Sequence, residues 1–375
     1  MTMLHLLLSV MLLTMGQALS AASAERSTNN NSLHINWCST TITATVGGQP
    51  ITDRDLPGRV VLLIQNGLGA DDAWNSFAVK TSMEFAGAVP AGALVPLFVV
   101  DDSKANLAAW STKGGIATVG FVERKNLHIP GFTWGGAPRF VLVDADGTIV
   151  SDMIIDGRDL SGGSRYQSRG ILMKPDDVRR TVEAGPGPLV PAGSWSACKA
   201  EVEALTVAGV TSKPLGPVLK ALRDRSKGND KAEAQKLIEA IRQHVQRQLA
   251  VAERNRAANP LLYKRVLERL QLQLGNDELG KPLDALVKTM TADKSLQAEL
   301  KAAEDFSLVL RTAAEISFGV GDPDATRPAD RIKAIRSGLQ TVLTRHAKSP
   351  TARMAEAQKA SWDTWVAKAI DPLPW

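Results

Sequence analysis

Sulfur, phenol and imidazole are all scarce in this chain. Its 375 residues hold two cysteines, two tyrosines and five histidines, and aromatic residues make up only 5%. Two cysteines cannot supply a disulfide framework or a Cys-rich zinc module. His34 and Cys38 have metal-ligand spacing in the loosest sense; two ligands do not make a site, and a surface histidine near a strand is the plainer reading. No metal and no cofactor is expected. Charge of one sign is also short: the formal net charge is +5, and Lys and Arg are interleaved with Asp and Glu. No nucleic-acid footprint follows from that pattern. Long apolar runs are missing too. The strongest is Leu6–Leu13, short of the ~20 residues a spanning helix needs, and no later segment is a better candidate.

That run lies inside residues 1–24, which end on Ala22-Ser23-Ala24, a small-residue cleavage pattern. Together they read as a cleaved secretory signal, although no Lys or Arg precedes the run, only His5 and the amino terminus. The rival reading is a membrane anchor. No cysteine follows the run, which argues against a lipoprotein anchor. The chain is expected to be exported, periplasmic or extracellular, with no integral membrane span after cleavage. An even cysteine count in an exported chain invites a Cys38–Cys198 disulfide. It would close a loop of about 160 residues, with a chain-entropy ceiling of roughly 5 kcal/mol. Two buried free thiols are the alternative.

Hydrophobic residues at 44% and charged residues at 22% fit a globular protein, and the length favours two domains. The organising stretch is Gly58–Trp74. Val60-Val61-Leu62-Leu63-Ile64 reads as a strand buried on both faces. Gly67 and Gly69 turn the chain. Asp71 and Asp72 then suit the first turn of a helix, where carboxylates oppose the dipole. Before it, residues 25–34 are polar and expected to be flexible. Leu33–Val46 is β-rich, and Gly47-Gly48 is a turn. After it, Phe140–Val143 is a short apolar strand, and Asp146-Gly147 marks a hairpin. An EF-hand reading of Asp144-x-Asp146 lacks the required Gly and Glu.

Residues 184–196 are rich in Pro and Gly and read as a linker. Beyond them the period changes to that of helices. Leu237, Ile241, Val245 and Leu249 recur every four residues, as do Leu262, Val266, Leu270 and Leu274. Six or seven helices are expected between residues 199 and 370, packed as antiparallel neighbours. Trp362 and Trp365 share a helix face and, with Trp375, are expected to dock on that domain. Ser349-Pro350-Thr351-Ala352 with Ala355 and Ala357 is similar to the last helix of a TPR-like unit, though no fixed period emerges.

Three blocks resemble a known family. Gly48–Leu63 (GQPITDRDLPGRVVLL), Leu94–Asp102 and Gly135–Val150 resemble, in order, the lead-in, second core strand and cis-proline hairpin of redoxin/TlpA-type thioredoxin-like domains. The resemblance covers about residues 35–160. It implies an α/β thioredoxin-like domain at 35–183, followed by an all-α domain at 197–375. It also implies that Ala70-Asp71-Asp72-Ala73 occupies the family's Cys-x-x-Cys position. Alanine offers no thiolate, so disulfide exchange there is impossible. What the resemblance leaves is a peptide groove beside the cis-proline position, Pro138, with Ala137, Trp134, Phe132 and Trp74 along it; partly buried core is the alternative for each Trp and the favoured reading for Trp74. A glutathione-transferase arrangement lacks its poised nucleophile and its acidic-Ser pair. The expected function is a non-catalytic protein- or peptide-binding or scaffold protein of the cell envelope. The alternative is a thiol–disulfide oxidoreductase using Cys38 in a displaced register. A third reading makes the helical half the interaction platform.

Overall fold

The computed structural model describes residues 35–46, 49–65, 72–100, 120–123, 127–128, 139–156, 167–170, 173–228, 230–318 and 328–368. The expected signal (1–24) and polar segment (25–34) lie outside the described residues, as do Gly47-Gly48 and Trp375.

The described strands form one mixed sheet. They are β1 (Thr41–Val46), β2 (Gln49–Thr52), β3 (Val61–Gln65), β4 (Val95–Val100), β5 (Gly120–Glu123), β6 (Leu127–His128), β7 (Arg139–Val143), β8 (Ile149–Asp156) and β9 (Gln167–Gly170). Their order is β2-β1-β5-β4-β3-β7-β8-β9, with β6 paired to β1. β3 and β4 are parallel and are joined through helix α1 (Asp72–Gly87), as a parallel crossover requires. β7 returns antiparallel to β3, with Val61 opposite Val143 and Gln65 opposite Arg139.

Every residue of β3 is buried, because both faces of the sheet are covered. Val61 and Leu63 share one face with Leu97 of β4 and Val141 of β7; Ile35, Trp37, Ile51, Leu56 and Val210 close over it. Leu62 and Ile64 share the other with Phe98, Phe140 and Leu142, under Phe85 of α1 and Val178 and Val182 of α2 (Pro175–Ala184). Phe85 meets Phe140 edge to face at 5.8 Å, a favoured aromatic geometry. The β7–β8 turn is built as its sequence suggests. The Asp144 carboxylate accepts from the Asp146 and Thr148 N–H groups, and Gly147 takes φ +93°.

One expected strand start moves. The β-rich stretch does not run unbroken from Leu33: Trp37–Ser39 forms a 3-10 turn, and β1 begins at Thr41. Asn36 is the cause. Its side chain accepts from the Cys38 N–H, while the Thr40 N–H bonds the Trp37 carbonyl, satisfying the backbone locally instead of across a ladder.

The C-terminal half holds eight described helices, not the six or seven expected: α3 (Lys199–Val210), α4 (Gly216–Arg225), α5 (Lys231–Asn255), α6 (Pro260–Leu274), α7 (Lys281–Ala292), α8 (Lys294–Phe318), α9 (Pro328–Arg345) and α10 (Pro350–Lys368). One hidden break is Asp293, extended in backbone, which ends α7 and accepts the Leu296 N–H at the start of α8. It caps without Gly or Pro, so it leaves no punctuation in the sequence. The helices range from 10 to 25 residues, unequal lengths that define no repeat. Trp362 and Trp365 lie on α10.

The two halves are welded rather than spaced. In the expected linker, Gly185–Gly187, Leu189 and Val190 are buried, and only 192–194 are exposed in a row. Of the arginines that cross the junction, Arg59 and Arg269 are almost fully buried. Arg59 donates to the carbonyls of Gly209 and Thr211 at the C-terminal end of α3, where the helix dipole favours a cation. Arg269 of α6 donates to the carbonyls of Asp55 and Pro57 and to Gln248 Oε1. Burial pushes the Arg59 guanidinium down to about 10, against the pull of Asp55. Burial, then repulsion from Arg59, pushes Arg269 well below its ordinary value. Asp55 itself is held by Thr52 and Ser212.

Candidate functional site

In open α/β sheets, ligands sit beyond the carboxyl ends of the parallel strands. Here that pole is marked by Gln65, Val100 and Glu123 at the ends of β3, β4 and β5. Arg139 opens β7 directly opposite Gln65. β8 reaches the same pole, since Ile154 faces Arg139. Helix α1 starts here, and its N-terminal N–H groups carry partial positive charge.

Alternation fixes which side chains share a face. Gln65, Arg139 and Asp152 fall on the face of Leu63 and Val141, the one away from α1 and α2. Gln65 is buried. Arg139 forms a two-pronged pair with Asp152, Nε to Oδ1 at 2.7 Å and a terminal nitrogen to Oδ2 at 2.5 Å. Their side chains are only 13% and 19% exposed. Such a fork is a charge-assisted geometry with fixed orientation.

Of the residues singled out by sequence, Asp72 and Ala73 open α1, and Trp74 follows in its first turn. Ala70, Asp71, Phe132, Trp134, Ala137 and Pro138 lie outside the described residues, as does His34.

Both sulfurs lie elsewhere. Cys38 and Cys198 are free and buried, with no bridge between them. Cys38 sits in the 3-10 turn and not in a strand. Its carbonyl accepts from Ser307 and Arg311 of α8. Burial pushes its thiol up to about 12, outweighing the nearby guanidiniums of Arg265 and Arg311. Cys198 precedes α3, a place that ordinarily favours thiolate. Burial and then the carboxylates of Glu201 and Glu233 reverse that tendency and raise its pKa. Both shifts disfavour the thiolate, which is the reactive form.

Among the described residues, no group of three or more His, Cys, Asp or Glu could hold a metal ion. None of the described helices is long and apolar enough to cross a membrane.

The helices grip β3, β4 and β7 from the opposite pole, whereas α8 meets the sheet at its β1–β6 edge. Gly209 and Thr206 meet Gly92 just before β4. Asp146, in the β7–β8 turn, accepts from Arg254 and Asn255 of α5. Arg59 stands two residues before the first residue of β3. Sequence reasoning passed over Arg59, Gln248 and Arg269. The only sign of them is a polar residue one step off an apolar stripe.

No family model matches the sequence, and no curated protein matches it. Among solved structures the chain is similar to the thiol peroxidase from Chromobacterium violaceum, with 11% identity, covering 41% of this chain and 87% of that one, at a TM-score of 0.26.

Proposed function

We propose that this is an exported protein whose sheet half is thioredoxin-like but redox-inactive, and which binds an extended peptide or protein segment at the pole where α1 begins. The observation that carries the reading is chemical: both sulfurs of the chain are buried, with thiols shifted away from thiolate, and the residues opening α1 are Asp72 and Ala73. The order β4-β3-β7-β8 supports the fold, since the first family-like block runs into β3, the second falls on β4 and the third on β7 and β8. Peptide pairing through backbone hydrogen bonds needs no thiol.

The oxidoreductase alternative requires Cys38 to ionise near neutral pH. With its pKa near 12, the thiolate fraction at pH 7 is about one in 10⁵. Two measurements test the proposal. Insulin reduction and dithiol oxidation should show no turnover, and Cys38 in the native protein should resist alkylation at pH 8 while reacting in urea. Turnover, or fast native labelling of Cys38, would remove the proposal in favour of the oxidoreductase. Export is tested by sequencing the mature amino terminus, expected at Glu25; an intact Met1 in the protein from cells would refute it.

A further inference from the structure

His244 lies on α5, half-buried between the expected linker and the arginine junction. Its Nδ1 is 2.8 Å from the Gly187 carbonyl oxygen. A carbonyl only accepts, so Nδ1 carries the hydrogen of the neutral ring and Nε2 is the bare acceptor. Nε2 faces the amide nitrogen of Gln248 at 3.5 Å. The orientation of that amide is fixed from its other side, where Gln248 Oε1 accepts from Arg269 at 2.7 Å. Arg269 in turn holds the Asp55 and Pro57 carbonyls of the segment leading into β3. The chain of donors and acceptors therefore runs unbroken from the imidazole to residues 55–57.

We propose that His244 is a proton-operated release for the grip of α5 and α6 on the segment Asp53–Arg59. A proton on Nε2 turns that nitrogen into a donor facing the Gln248 amide donor. Rotating the amide relieves the conflict at His244 and recreates it at Arg269, which loses its side-chain acceptor. Neither orientation of Gln248 satisfies both neighbours.

The charged groups around the ring all oppose the proton: Arg247 from α5 itself, Arg59 from the segment before β3, and Arg269 from α6. Asp55, the buried carboxylate of the junction, is engaged by Thr52 and Ser212. Burial first, then these guanidiniums, holds the imidazole down to about 3 despite the Gly187 hydrogen bond. Released, the ring regains its ordinary value near 6.5. The sign follows: the closed junction is fully favoured above about 6.5, and loses ground as pH falls from there to about 3.

Hydrogen exchange at a series of pH values tests this on the full chain. The reporters are the amides of Asp55, Arg59 and Thr211, bonded to the Thr52, Leu56 and Val207 carbonyls. Their protection factors, corrected for intrinsic exchange, should fall by about tenfold per pH unit between 6 and 4. His244→Asn keeps a donor for Gly187 but cannot titrate, and its protection should stay flat. Gln248→Glu offers a carboxylate that accepts from both His244 and Arg269; its slope should flatten or invert, with the ring titrating higher by NMR. Parallel slopes in all three proteins would overturn the proposal. So would a wild-type ring that titrates near 6.5 with protection unchanged, or an equal loss of protection in Val141–Val143 of β7, which would signal global unfolding.

Discussion

Replacing Gly209 by alanine sets two physical effects against each other. Gly209 is the penultimate residue of α3, and alanine is favoured over glycine within a helix by about 1 kcal/mol. Judged locally, the substitution stabilises. The structure argues the reverse. A Cβ there would stand 2.4 Å from the Gly92 carbonyl oxygen and 3.0 Å from its carbon, and separations under 3.0 Å essentially do not occur. The obstacle is backbone, not the tip of a flexible side chain. Gly92 has no room to retreat easily, because its own Cβ position lies 2.7 Å from the Thr206 carbonyl, and its φ is +79°. The two segments must part by at least 0.6 Å, the difference between 2.4 and 3.0 Å. That movement also drags the Gly209 carbonyl from Arg59. Overpacking costs about 3 kcal/mol at the upper end of its range, which leaves about 2 kcal/mol of net destabilisation after the propensity gain. Urea unfolding followed by circular dichroism measures it. Gly87→Ala is the comparator, since a Cβ there meets nothing within 4 Å; it should match wild type or gain up to about 1 kcal/mol. If Gly209→Ala is as stable as Gly87→Ala, the close approach is not a constraint and the reasoning fails.

Two further substitutions separate elements of the junction and of the helical half. Arg269→Met should cost about 3–5 kcal/mol, and Arg59→Met only about 1–3 kcal/mol. The reason is redundancy: Gln273 also donates to the Ala208 and Thr211 carbonyls, whereas Arg269 alone serves Asp55 and Pro57 among the described side-chain hydrogen bonds. Equal losses in chemical denaturation would contradict that ranking. Asp277 accepts from Arg223 twice and from the Leu279 N–H, and the Arg223 hydrogen bond leads the causes that hold its carboxyl below 3.8. Asp277→Asn should cost about 1–2 kcal/mol at pH 7, after allowance for the partly exposed arginine. Because the folded pKa is depressed, this contribution is complete above 3.8 and disappears as pH falls through the folded value. A penalty that persists unchanged at pH 2 would show that the ionised carboxylate is not its source.

The legible parts of the fold were those whose partners are near in sequence or follow from a period. β3 stood out as a β-branched run, the Asp146-Gly147 turn as a dipeptide, and α6 as a stripe. Leu262, Val266, Leu270 and Leu274 are all buried. The buried polar residues were hidden because their partners are remote. Arg269 lies one residue before Leu270, and its acceptors are more than two hundred residues away. Gln248 takes the buried position that period-four counting gives to Leu249, which is only half-buried. The start of α1 at Asp72 was legible from the preceding glycines and carboxylates. The Arg139–Asp152 fork was not, since it depends on strand register.

These contacts limit how a function can be mapped. Deleting residues 197–375 would strip Arg59 of both strong acceptors, Gly209 and Thr211, and remove Val210 from the sheet core. The same deletion would uncover the apolar sheet face that Val210 closes, and loss of apolar burial destabilises the sheet half. Loss of a bound partner after that deletion would therefore say nothing about which half the partner touches, because the sheet half would be damaged as well. Point changes at the far pole avoid the difficulty. Asp72 and Ala73 sit where β3 hands over to α1, whereas the glycine approach at Gly92, the Asp146 contacts and Arg59 lie at the other ends of the same strands. A bulky residue at Ala73 that abolishes binding while leaving the urea midpoint in place would locate the partner at that pole; unchanged binding would send the search to the helices.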